Sequence, residues 1–389
     1  MRGGARGSTR AIAGFCRAAA AQFAPMFVRL APLLKLLAAV LLSLLLLDLA
    51  LFRSGVYNAL IKPDSTAGSV VGAELVIRKY YEPTRKNVFV LGNSQIGEGF
   101  SAKLADLAAQ RPDLHFINGS VAGTSPRVWN YLLREVDPDA NRFAAIAMMV
   151  EYDGLYNWND FANYPLDISY STPLLRLGDL EDFSGSFSAA DLRARAHRLI
   201  LLPPQGLHDD MQDFLAHPLR RLHDLRKVRP AWLYAVGQYG GREGALPDLA
   251  LDPGSCMPKS WDSNTEWKPK LETYLRDLRK PAPEHTQIAN QNYERLWLGR
   301  IAQRYRERGV PVIVFAMTRG PWKADFLPVP TLNPALVELR DAGLITPLPG
   351  DAFIGLEKPQ FFYDTLHLNA TGREKFSQLF ATQVAPLVH

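Results

Sequence analysis

From Leu33 to Phe52 the chain reads LLKLLAAVLLSLLLLDLALF. This is about 20 residues, the length an α-helix needs to cross roughly 30 Å of hydrocarbon. Lys35 and Asp48 alone interrupt it, each near one end, where a polar head can reach the interface. The stretch is longer than the apolar core of an export signal, and no A-x-A site follows it. A retained anchor over residues 33–53 is therefore expected. Residues 54–86 are mixed and include KPDSTAGS; they read as a stalk and a first helix. The pattern then changes to short apolar runs separated by helical ones. Strands are expected at Asn87–Leu91, His115–Asn118, Phe143–Val150 and Val312–Phe315. Helices are expected at Ser101–Gln110, Thr124–Glu135, Thr286–Arg308 and Thr371–Val388. Apolar strands alternating with helices predict an α/β domain with a parallel sheet covered on both faces. Between about 154 and 285 the rhythm breaks into a segment rich in Pro, Trp, Tyr and charge, with helical pieces at Asp191–Leu202 and Met211–Lys227. Because the alternation resumes afterwards, this segment reads as an insertion, or cap, within a domain spanning 87–389.

Charge changes the picture at one end only. The net charge is +5. The first 35 residues hold Arg2, Arg6, Arg10, Arg17, Arg29 and Lys35 and no acid, so 38 of the 44 basic residues remain to face 39 acidic ones. The body is nearly neutral, which argues against nucleic acid as a partner. The basic tail, residues 1–32, precedes the apolar segment. The expected topology is single-pass, with the N-terminus cytoplasmic and the body outside a bacterial inner membrane. Cys16 and Cys256 are the two cysteines, one on each side of the expected membrane, and neither they nor the histidines have metal-ligand spacing. No metal and no cofactor is expected.

Three segments carry candidate chemistry. Leu91-Gly92-Asn93-Ser94-Gln95 lies where a strand yields to a helix, the ligand crevice of open α/β sheets. A serine there is exposed, or the glycine serves a plain structural turn. Tyr363-Asp364-Thr365-Leu366-His367-Leu368-Asn369 precedes the last helix. Asp364, three residues before His367, can fix the imidazole tautomer and leave Nε2 as a general base. The other reading is a helix entry capped by Asn369 or Thr371. Asn118-Gly119-Ser120-Val121-Ala122-Gly123 is a strand end followed by a tight turn, where Gly123 would let a backbone N–H approach a reacting oxygen.

In combination these segments resemble the SGNH/GDSL hydrolase superfamily. Its serine block is matched by Ser94 in Gly92-Asn93-Ser94, its N-x-x-x-x-G block by Asn118 and Gly123, and its C-terminal DxxH by Asp364 and His367. The resemblance covers roughly residues 87–151 and 310–389 and leaves the insertion unexplained. It implies a three-layer, flavodoxin-like sheet and a catalytic triad of Ser94, His367 and Asp364. It also implies an oxyanion hole from the N–H groups of Ser94 and Gly123. Asn93, Tyr152 and Asp153 are candidate substrate contacts. The layout with an anchor is similar to the membrane-bound branch that includes DltD proteins and proteins of polysaccharide O-acetylation. That similarity implies an acylated, notably acetylated, envelope or exported glycan as substrate, with hydrolysis or acyl transfer as the reaction and a membrane-bound O-acyltransferase as a partner.

One block departs from the family. Where G-x-N-D is expected after the third strand, the chain reads Val150-Glu151-Tyr152-Asp153. Tyr152 takes the asparagine position, and Asn157 and Asn159 follow only after a longer loop. The oxyanion hole is then one donor short, a loss of about 10²–10³ in rate. This keeps open a catalytically degenerate scaffold, or a glycan-binding accessory of an acylation complex.

Overall fold

The computed structural model describes residues 32–33, 35–153, 160–260, 268–280 and 283–389. It divides into two compact units, residues 1–59 and 60–389. The first holds helix α1, Lys35–Arg53, 19 residues long, of which an 18-residue stretch has a mean hydropathy of 2.3. The helix is long and apolar enough to cross a membrane. At its end Arg53 Nε pairs with Asp48 at 2.5 Å, so the one acid of the apolar run is neutralised within the helix. The basic tail expected over 1–32 lies almost wholly outside the described residues.

The second unit opens with α2 (Thr66–Tyr80), started by Ser65, whose side chain accepts the Gly68 N–H. Next come β1 (Lys86–Leu91), α3 (Ser94–Gly99), α4 (Ala102–Ala109), β2 (Leu114–Asn118), α5 (Pro126–Val136) and β3 (Ala145–Met149). After the irregular region follow α6 (Lys268–Asp277), α7 (Glu284–Arg306), β4 (Val312–Phe315), α8 (Lys323–Phe326), β5 (Thr346–Pro347) and α9 (Ala370–Val384). The strands form one sheet in the order β2-β1-β3-β4-β5, each neighbouring pair parallel. The four expected strands form. The fifth has two residues, too few to show as an apolar run in the sequence.

The central strands β1, β3 and β4 are buried on both faces, which is why their sequences show no polar alternation. Phe89, Leu91, Ile146, Met148, Val312 and Val314 pack with Val70, Leu132 and Trp297 from α2, α5 and α7. Val88, Val90, Ala147, Ile313 and Phe315 pack with Ala105 of α4 and Phe376 and Phe380 of α9.

The region between β3 and α7 is helical in short pieces, including Leu166–Ser171, Ala190–Leu201, His208–Ala216, Pro218–His223 and Arg229–Gln238. The single helix expected over Met211–Lys227 is broken at His217, because Pro218 opens a new helix and cannot continue the old one. Ile168, Tyr170, Phe183, Phe187 and Ile200 are buried in the same core as β1 and β3. The first part of the insertion is thus integral to the domain.

Candidate active site

The turn after β1 is shaped by two side chains. A Cβ on Gly92 would fall 2.2 Å from Cγ1 of Ile96, so only glycine lets α3 fold back this closely on the strand end. Asn93 Oδ1 then accepts the Gln95 N–H at 2.9 Å and caps α3. Ser94 becomes the first residue of that helix, at the carboxyl edge of the sheet. Asn93 therefore sits in the loop as a cap and also borders the cleft described below.

The DxxH segment closes into a loop of its own. Phe362 and Leu368 form an isolated antiparallel bridge, and the Tyr363 N–H donates to the His367 carbonyl at 3.2 Å. Asn369 caps α9 by accepting the Gly372 N–H at 2.9 Å. Inside the loop Asp364 Oδ1 accepts the N–H groups of Leu366 and His367, at 2.8 and 2.7 Å. The His367 ring lies against Tyr363, centroids 5.7 Å apart and 10° from parallel. Its Nδ1 stands 2.9 Å from Asp364 Oδ2 and 3.2 Å from Oδ1, and its Nε2 stands 2.9 Å from Ser94 Oγ. With the Nδ1 proton donated to Asp364, Nε2 is the acceptor of the Ser94 hydroxyl. Partial burial works against the Asp364 carboxylate. The bonds from the His367 ring and from two backbone N–H groups outweigh it and hold its pKa below the ordinary value.

The turn after β2 approaches the same place. Asn118 Nδ2 donates to the Phe100 carbonyl at 3.0 Å and its Oδ1 accepts the Ser120 N–H at 3.0 Å, which ties the turn to the end of α3. Gly123 has φ +72°, and a Cβ there would stand 2.8 Å from Tyr170 Oη. Both its conformation and its surroundings call for glycine. The N–H groups of Ser94 and Gly123 have no acceptor among the described residues, and both residues border one cleft.

After β3 the geometry separates the expected contacts. Tyr152 is buried and faces away from the cleft, its hydroxyl donating to the carbonyls of Leu348 at 2.8 Å and Val314 at 3.3 Å. Asp153 pairs by its backbone with Thr331 and does not line the cleft either. The residues after β3 that do are Val150 and Glu151. Asn157 and Asn159 lie outside the described residues.

The cleft has a volume of about 700 Å³ and is bordered by Ser94, Gly123, Glu151, Thr318, Lys323 and Leu366, among others. A side recess of about 30 Å³ opens among Asn93, Thr124, Trp129, Met149 and Phe161. Glu294 of α7 lies at this recess, fully buried. Its Oε2 accepts from Asn333 Nδ2 at 2.6 Å and its Oε1 from the Glu151 N–H at 3.4 Å. Burial, reinforced by the nearby Glu151 charge, pushes its pKa up to about 8. Sequence motifs do not mark Thr318, Lys323 or Glu294. Position does mark the first two, because they follow β4 at the carboxyl edge of a parallel sheet.

Chemically, the arrangement offers a hydroxyl bonded to an oriented imidazole, with two N–H groups on the same cleft. These are the parts of nucleophilic acyl transfer. No family model matches the chain, and no curated protein matches it.

Proposed function

We propose that this protein is an SGNH-type serine acyl-esterase or O-acyltransferase, anchored by α1 with its body outside the bacterial inner membrane. Its substrate is an acylated envelope or exported glycan. The reading takes the parallel sheet as the centre of a three-layer SGNH domain, with the later part of the insertion as its cap. The observation that carries it is the 2.9 Å approach of Ser94 Oγ to His367 Nε2, with His367 Nδ1 on Asp364 at 2.9 Å.

In the reaction, Ser94 Oγ attacks the ester carbonyl while His367 Nε2 takes its proton. The N–H groups of Ser94 and Gly123 hold the oxyanion of the tetrahedral intermediate. Protonated His367 returns the proton to the leaving sugar oxygen and the C–O bond breaks, leaving acyl-Ser94. Water or a second sugar hydroxyl then attacks the acyl carbon, its proton passing to His367; the acyl C–Oγ bond breaks, His367 returns the proton to Ser94 Oγ, and the acid or new ester leaves. Asp364 keeps His367 in the right tautomer and faces the imidazolium as it forms. The 30 Å³ recess beside Asn93 and Trp129 holds a group of about one or two heavy atoms. That size supports a short acyl chain such as acetyl.

The test is labelling of the full-length protein in detergent by a fluorophosphonate. Labelling of the wild type and none of Ser94→Ala or His367→Ala is expected. An unlabelled wild type, or equal labelling of Ser94→Ala, removes the nucleophile and leaves the scaffold reading.

A further inference from the structure

The loop after β4, Ala316-Met317-Thr318-Arg319-Gly320-Pro321-Trp322-Lys323, borders the cleft that holds Ser94. Its two cations are treated differently. Arg319 is fully engaged, with Nε and Nη2 on the two carboxylate oxygens of Glu357 at 2.9 and 2.7 Å and both side chains 1% exposed. Lys323 is 8% exposed. Its only hydrogen bond among the described residues is a long one, 3.4 Å to the Leu278 carbonyl. Its ammonium lies 5.3 Å from the centre of the Tyr274 ring. In the same loop Thr318, 1% exposed, has a buried hydroxyl oxygen with no hydrogen-bond partner among the described residues.

Buried polar groups in a folded protein are nearly always paired, and a buried charge almost without exception. Here an under-bonded ammonium and an unbonded hydroxyl border one cleft. Two acids near this loop are already paired, Glu357 with Arg319 and Asp277 with Lys280. The Tyr274 hydroxyl donates to the Pro321 carbonyl at 2.9 Å. Burial, with the charge of Arg319 added and that of Glu357 opposing, lowers the Lys323 pKa to about 8. An anion arriving beside it would restore the charged form.

We propose that the Lys323 and Thr318 end of the cleft is a subsite for an anionic group of the substrate, a carboxylate or a phosphate. The Lys323 ammonium and the Thr318 hydroxyl bind it. A neutral hydroxyl in this place would leave the ammonium uncompensated in a poorly solvated site, whereas an anion pairs with it where Coulomb attraction is weakly screened. The inference names an acidic glycan as the substrate class. It rests on the acyl-transfer reading for its role in the reaction, though not for the binding itself.

The test is calorimetric binding to full-length Ser94→Ala in detergent, which removes turnover. Three ligands of similar length are compared: oligogalacturonate for the carboxylate, a glycerol-phosphate oligomer for the phosphate, and a malto-oligosaccharide as the neutral control. One acidic ligand should bind at least about tenfold more tightly than the neutral one, and which one identifies the source of the anion. Adding Lys323→Gln should weaken that ligand by about 10–100-fold, the range of a charge-assisted bond. Lys323→Arg should retain most of the affinity, and the neutral ligand should not respond. Equal binding of all three ligands, no binding of either acidic one, or an equal loss for acidic and neutral ligands in Lys323→Gln would overturn the proposal. Lys323→Met, with its melting temperature recorded, guards against a folding defect specific to the Gln variant. If fluorophosphonate labelling fails while the acidic ligand still depends on Lys323, the acyl-transfer reading falls and the subsite stands. The reverse result separates them the other way.

Discussion

Arg373 donates from Nη1 to the carbonyl oxygens of Gly97 and Glu98, at 2.8 and 2.7 Å. Gly97 and Glu98 lie in the last turn of α3, the helix that Ser94 begins, and Arg373 lies in the first turn of α9, which follows His367. A cation on the last carbonyls of a helix satisfies groups the helix itself leaves unbonded. In this protein it also ties the helix that Ser94 begins to the helix that follows His367.

Arg373→Met should therefore act on turnover more than on binding. A small displacement of Ser94 against His367 costs up to about 10²-fold in rate, so kcat for a short-chain aryl ester should fall by about 10–100-fold with KM little changed. A rise in KM with kcat intact would contradict this positioning role.

Gly123→Ala meets two obstacles, the positive φ and the Tyr170 hydroxyl 2.8 Å from the new Cβ. The conformational cost is about 1–2 kcal/mol, and displacement of the donor N–H should lower kcat by about 10²–10³. Adding Tyr170→Phe removes the clashing oxygen and should recover part of the activity, leaving the φ cost in the melting temperature. No recovery in the double variant would place the defect in backbone strain alone.

The small recess sets an acyl-length preference. Acetyl esters should exceed butyryl esters in kcat/KM by at least about tenfold, a loss of about 1.4 kcal/mol. Phe161→Ala, which enlarges the recess, should narrow that ratio. Equal rates on both esters in the wild type would show that the acyl group lies elsewhere.

Glu294 gives stability a distinctive pH dependence. Its folded pKa is raised to about 8 from an ordinary value of 4.5. Between those values the folded state holds a proton that the unfolded state has lost. This contribution to stability is full below about 4.5 and is lost as pH rises towards 8, at a limiting slope of about 1.4 kcal/mol per unit. The melting temperature of the wild type should fall from pH 5 to pH 8 more steeply than that of Glu294→Gln, which has no proton to lose. Parallel curves for the two proteins would show that Glu294 is ionised throughout.

The residues legible in the sequence are those fixed by local chemistry. Ser94 follows a strand end and a helix cap, and Asp364 and His367 stand just before a capped helix. Motif and element boundary coincide at both, and the structure brings all three side chains together. The strands were legible because a sheet buried on both faces leaves continuous apolar runs. Tyr152, expected at the asparagine position of the third block, turns instead to the Leu348 and Val314 carbonyls, while Glu151, one position earlier, reaches the cleft; neighbouring positions along an extended chain point to opposite sides. Lys323 and Thr318 carried no motif. Their place beside Ser94 depends on the strand order, in which β3 lies between β1 and β4, and no local pattern encodes that order. The tightness around Gly123 comes from Tyr170 in the insertion, the part of the sequence with the least periodic signal.

Ser94 and His367 are separated by 273 residues of chain, and the clamp between their elements sits in α9. In the proposed triad, Ser94 is made long before its base, so it lacks an activating imidazole until the segment carrying Asp364 and His367 has been made. A chain truncated before Asp364 retains its serine and most of its core but has no base to activate it. Under the proposed reading, this order postpones reactivity until most of the domain has been made.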